Sequence, residues 1–219
     1  RDGVSRGTSQ GARPAGRALP HLDATTVKNK TAPSALLLAL VTAMASAQAP
    51  RPAPLQPLPI LEVAPYMGTW YQVLWFPNRF QKQCVADTAA TYRDLGNGSV
   101  EVTNRCRTAD GTLDTVGGLA RPPAGVSRIE AGKLQPARLE VSFLPAWLRW
   151  TGIGWGAYWV VDLAPDGRYA IVSEASREYL WVLARQPVLT SEDDRAIRAR
   201  LQALGFDLSA LQTHPHGSR

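Results

Sequence analysis

Histidine is scarce: the 219 residues contain three, and two of them, His214 and His216, sit in the terminal tail. So little imidazole leaves few ways to activate a nucleophile or ligate a transition metal. No His-x-x-x-His, Cys-x-x-Cys, Gly-x-Ser-x-Gly or phosphate-cradling glycine loop occurs. The acidic residues are scattered among turns and strand ends, where solvation accounts for them. Catalysis is therefore not expected, and neither a cofactor nor a metal site is predicted.

Excess charge is also missing from most of the chain. Of 24 Lys+Arg and 18 Asp+Glu, six basic and two acidic residues fall in residues 1–47, which leaves 18 against 16. The body is nearly neutral, so nucleic-acid binding loses its electrostatic support. A small-molecule or lipid partner is the expectation instead.

Long apolar runs are limited to one. Leu36 to Ala47 follows Lys28 and Lys30 and ends in Ala45-Ser46-Ala47. A basic start, a short apolar run and small residues predict a secretory signal peptide over 27–47, with cleavage before Gln48. The run is shorter than the ~20 residues that span a bilayer. No Cys lies near the cut, so a lipid anchor is not expected. No Met precedes Met44; translation is expected to start near Val27, with residues 1–26 as disordered or non-native upstream sequence. These features predict a periplasmic protein, soluble or peripheral at the outer membrane.

What the body does have is β-type sequence. After a Pro-rich stretch over 48–60, read as an extended tether, runs rich in Val, Thr, Tyr, Trp and Phe predict strands. They fall near 68–77, 85–94, 99–107, 112–121, 137–144, 156–163, 168–175 and 178–185. Gly96-Asn97-Gly98, Ala109-Asp110-Gly111 and Pro165-Asp166-Gly167 supply turns between them. Eight such strands suggest an antiparallel sandwich or barrel. Thr190 or Ser191 then caps one amphipathic helix carrying Ile197, Leu201 and Leu204, which Gly205 ends. A disordered tail is expected over 214–219.

Two cysteines, Cys84 and Cys106, face each other across the hairpin that turns at Gly96-Asn97. In an oxidising compartment they are expected to form a disulfide. Closing that loop is worth about 3 kcal/mol in the chain-entropy model.

Met67-Gly68-Thr69-Trp70-Tyr71 opens the first strand with a Gly-x-Trp. Tyr158-Trp159-Val160-Val161 and Tyr179-Leu180-Trp181-Val182-Leu183-Ala184-Arg185 follow in order and at suitable distances. Together these segments resemble the lipocalin family, in particular the bacterial lipocalin and apolipoprotein D subgroup. The family's Thr-Asp-Tyr element after the sixth strand is replaced by Asp162-Leu163-Ala164-Pro165. The resemblance covers about residues 60–210. It implies an all-β fold, an eight-stranded up-and-down antiparallel barrel over 61–213 with one C-terminal α-helix. It also implies that Gly68, Trp70 and Arg185 hold the base shut, the guanidinium lying over the indole.

Alternation from Trp70 and Arg185 assigns faces. The expected ligand-facing set is Leu74, Phe76, Tyr92, Val141, Phe143, Tyr158, Val160 and Trp181. Such a lining suits a fatty acid, a lysophospholipid or another small hydrophobic ligand; each buried methylene contributes ~0.8 kcal/mol. Leu144 to Trp155 contains three Trp and one charge. It is read either as a lid over the mouth or as a surface for membrane, a protein partner or a second copy in a homodimer.

Overall fold

Hairpin turns and alternating apolar residues order this chain into one continuous meander. The computed structural model describes residues 52–217. The expected upstream segment, signal peptide and cleavage site lie outside the described residues.

The strands are β1 (Leu61–Glu62), β2 (Gly68–Trp75), β3 (Ala86–Asp94), β4 (Val100–Arg107), β5 (Leu113–Arg121) and β6 (Arg128–Glu130). They continue as β7 (Lys133–Gln135), β8 (Arg138–Ser142), β9 (Gly156–Leu163), β10 (Tyr169–Ser173), β11 (Leu180–Ala184) and β12 (Gln212–Thr213). The helices are α1 (Val63–Tyr66), α2 (Ala146–Arg149) and α3 (Ser191–Ala203). In the main sheet β2, β3, β4, β5, β8, β9, β10 and β11 pair in succession, and β11 returns to pair with β2. Every one of these pairings is antiparallel. The ring of eight is closed, and closure removes the exposed edges that an open sheet would present.

The sequence-predicted strands coincide with these eight to within a few residues. Helix α3 also forms as expected: the Thr190 side chain accepts from the Asp193 N–H, and Glu192, Asp193 and Asp194 occupy the first turn. Ile197 and Leu201 of α3 are fully buried against the outside of the barrel.

Two apolar layers result. One fills the lower interior with Trp70, Tyr92, Val102, Val160, Val172 and Leu183 among others. The second lies between the barrel wall and α3, with Leu74, Phe76, Ile171, Val182 and Phe206. The lower end is shut by a small sheet that the sequence reading missed. There β1 pairs with β7, and β7 with β6, and Leu61, Val63, Tyr66 and Leu134 join the interior core.

Three expectations need correction. Residues 52–60 are not a free tether: Leu55 and Pro57 are buried, and Leu58 bonds through its backbone to Val160 and Ala137. The tail is not loose at 214–217 either. Strand β12 pairs with the end of β2, and His214 donates its N–H to the Val73 carbonyl. The third concerns β2. Leu183 pairs with Gln72 but Val182 with Leu74, so Val73 is an extra residue, a β-bulge. The bulge reverses the phase of the strand. Leu74 and Phe76 therefore face α3, and neither can line the interior.

Candidate functional site

The base of the barrel is built around one indole. Trp70 is fully buried and donates from Nε1 to the Tyr66 carbonyl at 2.8 Å. The Arg185 guanidinium lies 3.7 Å from the centre of its ring. Nη1 of Arg185 donates to the Thr69 carbonyl and Nη2 to the Pro65 carbonyl. The first and last barrel strands are thus tied together by one side chain. Burial draws the guanidinium pKa down from its ordinary value, but Arg keeps its charge at any physiological pH. Gly68 completes the contact with φ of +89° and Arg185 Nη1 only 3.6 Å from where a Cβ would sit. A side chain there meets unfavourable backbone, while a Cβ would make only ordinary contact with the guanidinium.

Above the base, three phenols meet. The Tyr158 hydroxyl is 2.8 Å from that of Tyr66 and 3.0 Å from that of Tyr92. Burial pushes Tyr92 up to about 12 and the other two well above the ordinary phenol value. All three therefore stay protonated and neutral.

Higher still, the β2–β3 connection folds a side chain inward. Gln81 donates from Nε2 to Gln72 Oε1 and accepts on Oε1 from Trp181 Nε1, at 2.9 and 2.8 Å. Gln72 is 2 % exposed, and its Nε2 has no partner. Asn104, in the same inward phase as Val100 and Val102, has a buried Oδ1 without a partner.

The expected ligand-facing residues divide into three groups. Tyr92 and Val160 lie in the packed lower interior. Val141, Tyr158 and Trp181 pack against that core yet keep partial exposure. Phe143 lies at the rim, over Gly118: a Cβ on Gly118 would meet the ring at 2.6 Å. Gly118 pairs with inward-facing Val102, so the ring covers the inner face of the wall. Leu74 and Phe76 are excluded by the bulge. Sequence reasoning did not assign Tyr66, Gln81 or Asn104 to the site. Asn104 was findable as the next inward position after Val100 and Val102. Tyr66 and Gln81 lie outside the strands, where alternation gives no guidance.

The rim carries exposed apolar side chains. Trp147, Trp150 and Ile153 are 70, 82 and 71 % exposed. Trp155 instead lies back against the wall, with Arg121 over its ring at 4.0 Å. Cys84 and Cys106 form the expected disulfide, Cα atoms 5.4 Å apart, which fastens the β2–β3 connection to β4.

A lipocalin-like family model matches residues 61–216. The chain belongs to the lipocalin family. It is 34 % identical to a putative lipocalin of Acanthamoeba polyphaga mimivirus, over 69 % of this chain and 82 % of that protein. It is 32 % identical to temperature-induced lipocalin-1 of Arabidopsis thaliana, covering 71 % and 79 % of the two chains. Against the outer membrane lipoprotein Blc of Escherichia coli K12 the identity is 31 %, over 66 % and 73 %. Among solved structures, insecticyanin of Manduca sexta superposes with a TM-score of 0.58 at 14 % identity, over 77 % of this chain and 87 % of that one. Lobster apocrustacyanin A1 gives 0.53 at 16 %, over 70 % and 79 %; both show the fold alone. Lipocalins generally bind small hydrophobic ligands and are not enzymes, and the closed barrel fits that role.

Proposed function

We propose that this lipocalin carries a lipid with a single acyl chain, such as a fatty acid or lysophospholipid, within the upper barrel. One observation carries the reading. Val116 and Phe143 belong to the inner wall, yet they remain 44 and 37 % exposed, while Val160 and Val172 below them are fully buried. Apolar side chains of the inner face that remain open to solvent support an upper barrel that its own residues do not fill. An eight-stranded ring holds one small ligand when its upper part stays unfilled. The proposed setting is the periplasm, after export by the segment over 27–47, with a role in envelope maintenance. The similarity to Blc, an outer membrane lipoprotein by name, supports the compartment. The absence of Cys near the predicted cut favours a form without a lipid anchor. The test is mass spectrometry of lipids extracted from protein purified from its native host. One acyl lipid per protein is the expected result. Protein free of lipid that also fails to bind added single-chain lipids in solution overturns the proposal.

A second reading draws on the rim. Trp147 and Trp150 sit on and beside α2 and are largely exposed, which favours a contact surface over a lid. Indole rings are suited to the interface between headgroups and acyl chains. The proposed contact is a bilayer from which the ligand is taken or to which it is given. Changing both to Ser should abolish co-sedimentation with liposomes. Unchanged co-sedimentation removes the bilayer reading, and a change in oligomeric state points to a second copy of the chain instead.

A further inference from the structure

The inner wall is polar in places but carries no charge. Its positions, read from the pairing register, are Trp70, Gln72 and Trp75 on β2, and Ala90 and Tyr92 on β3. Val100, Val102 and Asn104 follow on β4, then Val116, Gly118 and Ala120 on β5. Leu139 and Val141 on β8, Tyr158 and Val160 on β9, Val172 on β10, and Trp181 and Leu183 on β11 complete the ring. The acids sharing this phase stand at strand ends and are occupied elsewhere. Asp94 accepts from Gly96 N–H, Asp114 accepts from Gln83, and Glu174 caps the loop through Ser176, Glu178 and Tyr179. Arg79 and Lys82 belong to the β2–β3 connection at the mouth and are exposed. Arg185 is engaged at the base.

Neutral hydrogen-bonding capacity, by contrast, is left over. The three phenols have three hydroxyl hydrogens but share two hydrogen bonds, so one O–H remains to donate. Asn104, diagonal to Tyr92 on the neighbouring strand, holds the unpartnered buried Oδ1, and Gln72 holds the unpartnered Nε2. Buried polar groups without partners are costly, and a ligand that supplies partners recovers that cost. An ionised group brought to the same place finds no counter-charge and loses its hydration.

From this juxtaposition we infer that the barrel selects an uncharged amphiphile, such as a long-chain alcohol, a monoacylglycerol or an N-acyl amide, over an ionised fatty acid. The polar group sits among Tyr66, Tyr92, Tyr158 and Asn104, with the chain against the apolar wall. This rests on the carrier reading above and replaces its charged examples, the fatty acid and the lysophospholipid, with neutral single-chain lipids.

The test uses tryptophan quenching by three ω-bromo probes of equal chain length: an alkane, an alkanol and an alkanoic acid. At a pH where the acid is ionised, the alkanol should bind about tenfold more tightly than the acid, a difference of about 1.4 kcal/mol. The gap should narrow as pH falls through the acid's own titration. Tyr158→Phe and, as a second variant less central to the core, Asn104→Leu should each weaken the alkanol about fivefold while leaving the alkane unchanged. Carboxylate binding as tight as the alkanol overturns the inference alone, as does an alkane that binds as well as the alkanol. Failure of all three probes to quench removes the carrier reading and the inference with it.

Discussion

Replacing Arg185 by Ala tests the claim that one side chain joins the two ends of the wall. The guanidinium stands 3.7 Å from the Trp70 ring centre and donates to two carbonyls, those of Thr69 and Pro65. A partly desolvated cation–π contact is worth ~1–2 kcal/mol. Each of these two hydrogen bonds, one part-buried and one exposed, adds about 1 kcal/mol net, and the desolvation that lowers the Arg185 pKa takes part of this back. A loss of about 2–4 kcal/mol is expected, a large share of the roughly 5–15 kcal/mol that holds a typical domain folded. Arg185→Lys keeps the charge but neither the plane nor the fork, so it should recover less than half. Urea unfolding followed by tryptophan fluorescence and far-ultraviolet circular dichroism measures both. With a slope of about 2 kcal/mol per molar, the Ala midpoint should fall by about 1–2 M. A loss below about 0.5 kcal/mol, or equal stability for Ala and Lys variants, refutes the reasoning.

Other outcomes follow from the same contacts. Reducing or deleting the Cys84–Cys106 bond, which closes a separation of 22 residues, should cost about 3 kcal/mol in thermal or urea unfolding. Gly118→Ala places a methyl 2.6 Å from the Phe143 ring and 2.9 Å from the Ser142 carbonyl; a loss of about 1–3 kcal/mol is expected by calorimetry. His214 accepts from the Thr88 N–H through Nε2, which requires the neutral ring. Burial foremost, and then the neighbouring His216, hold its pKa down to about 4, against the opposing pulls of a hydrogen bond to the Ala86 backbone and of Asp87. Because the folded pKa is depressed, this contribution is complete above the unfolded value of about 6.5 and is lost as pH falls from there toward the folded value. The contribution at neutral pH is on the order of 1–3 kcal/mol. Urea midpoints across that window should fall less steeply with acid in His214→Asn than in the parent; parallel curves would count against the assignment.

The fold was legible because its cues are local and repeated. Alternation, turn residues and the Thr190 cap each marked an element, and the lipocalin resemblance supplied the Trp70–Arg185 contact that says which strands meet. The site was legible only where alternation runs unbroken. Val141, Tyr158 and Trp181 were placed on the inner face by counting in twos, whereas Leu74 and Phe76 were misplaced because Val73 is inserted without any glycine or proline to announce it. Tyr66 and Gln81 come from segments between strands and reach the interior through tertiary packing. The β6–β7 floor escaped notice for a similar reason. Its strands are three residues each and depend for stability on pairing with residues 61–62, far away in sequence.

The stitching of β12 beside β2 gives the order of synthesis a structural meaning. Residues 212–217 hold down the stretch of wall where β2 and β3 part company: Thr213 pairs with Leu74, the Asp87 N–H donates to the Pro215 carbonyl, and Gly217 donates to the Asp87 carboxylate. A chain still emerging from the ribosome lacks this last seam, and one cut short of Gln212 never acquires it. Either leaves a strip of β2 backbone bare, ready to pair with a foreign strand. Shortening the polypeptide at that end therefore invites aggregation even where the ring of eight is intact.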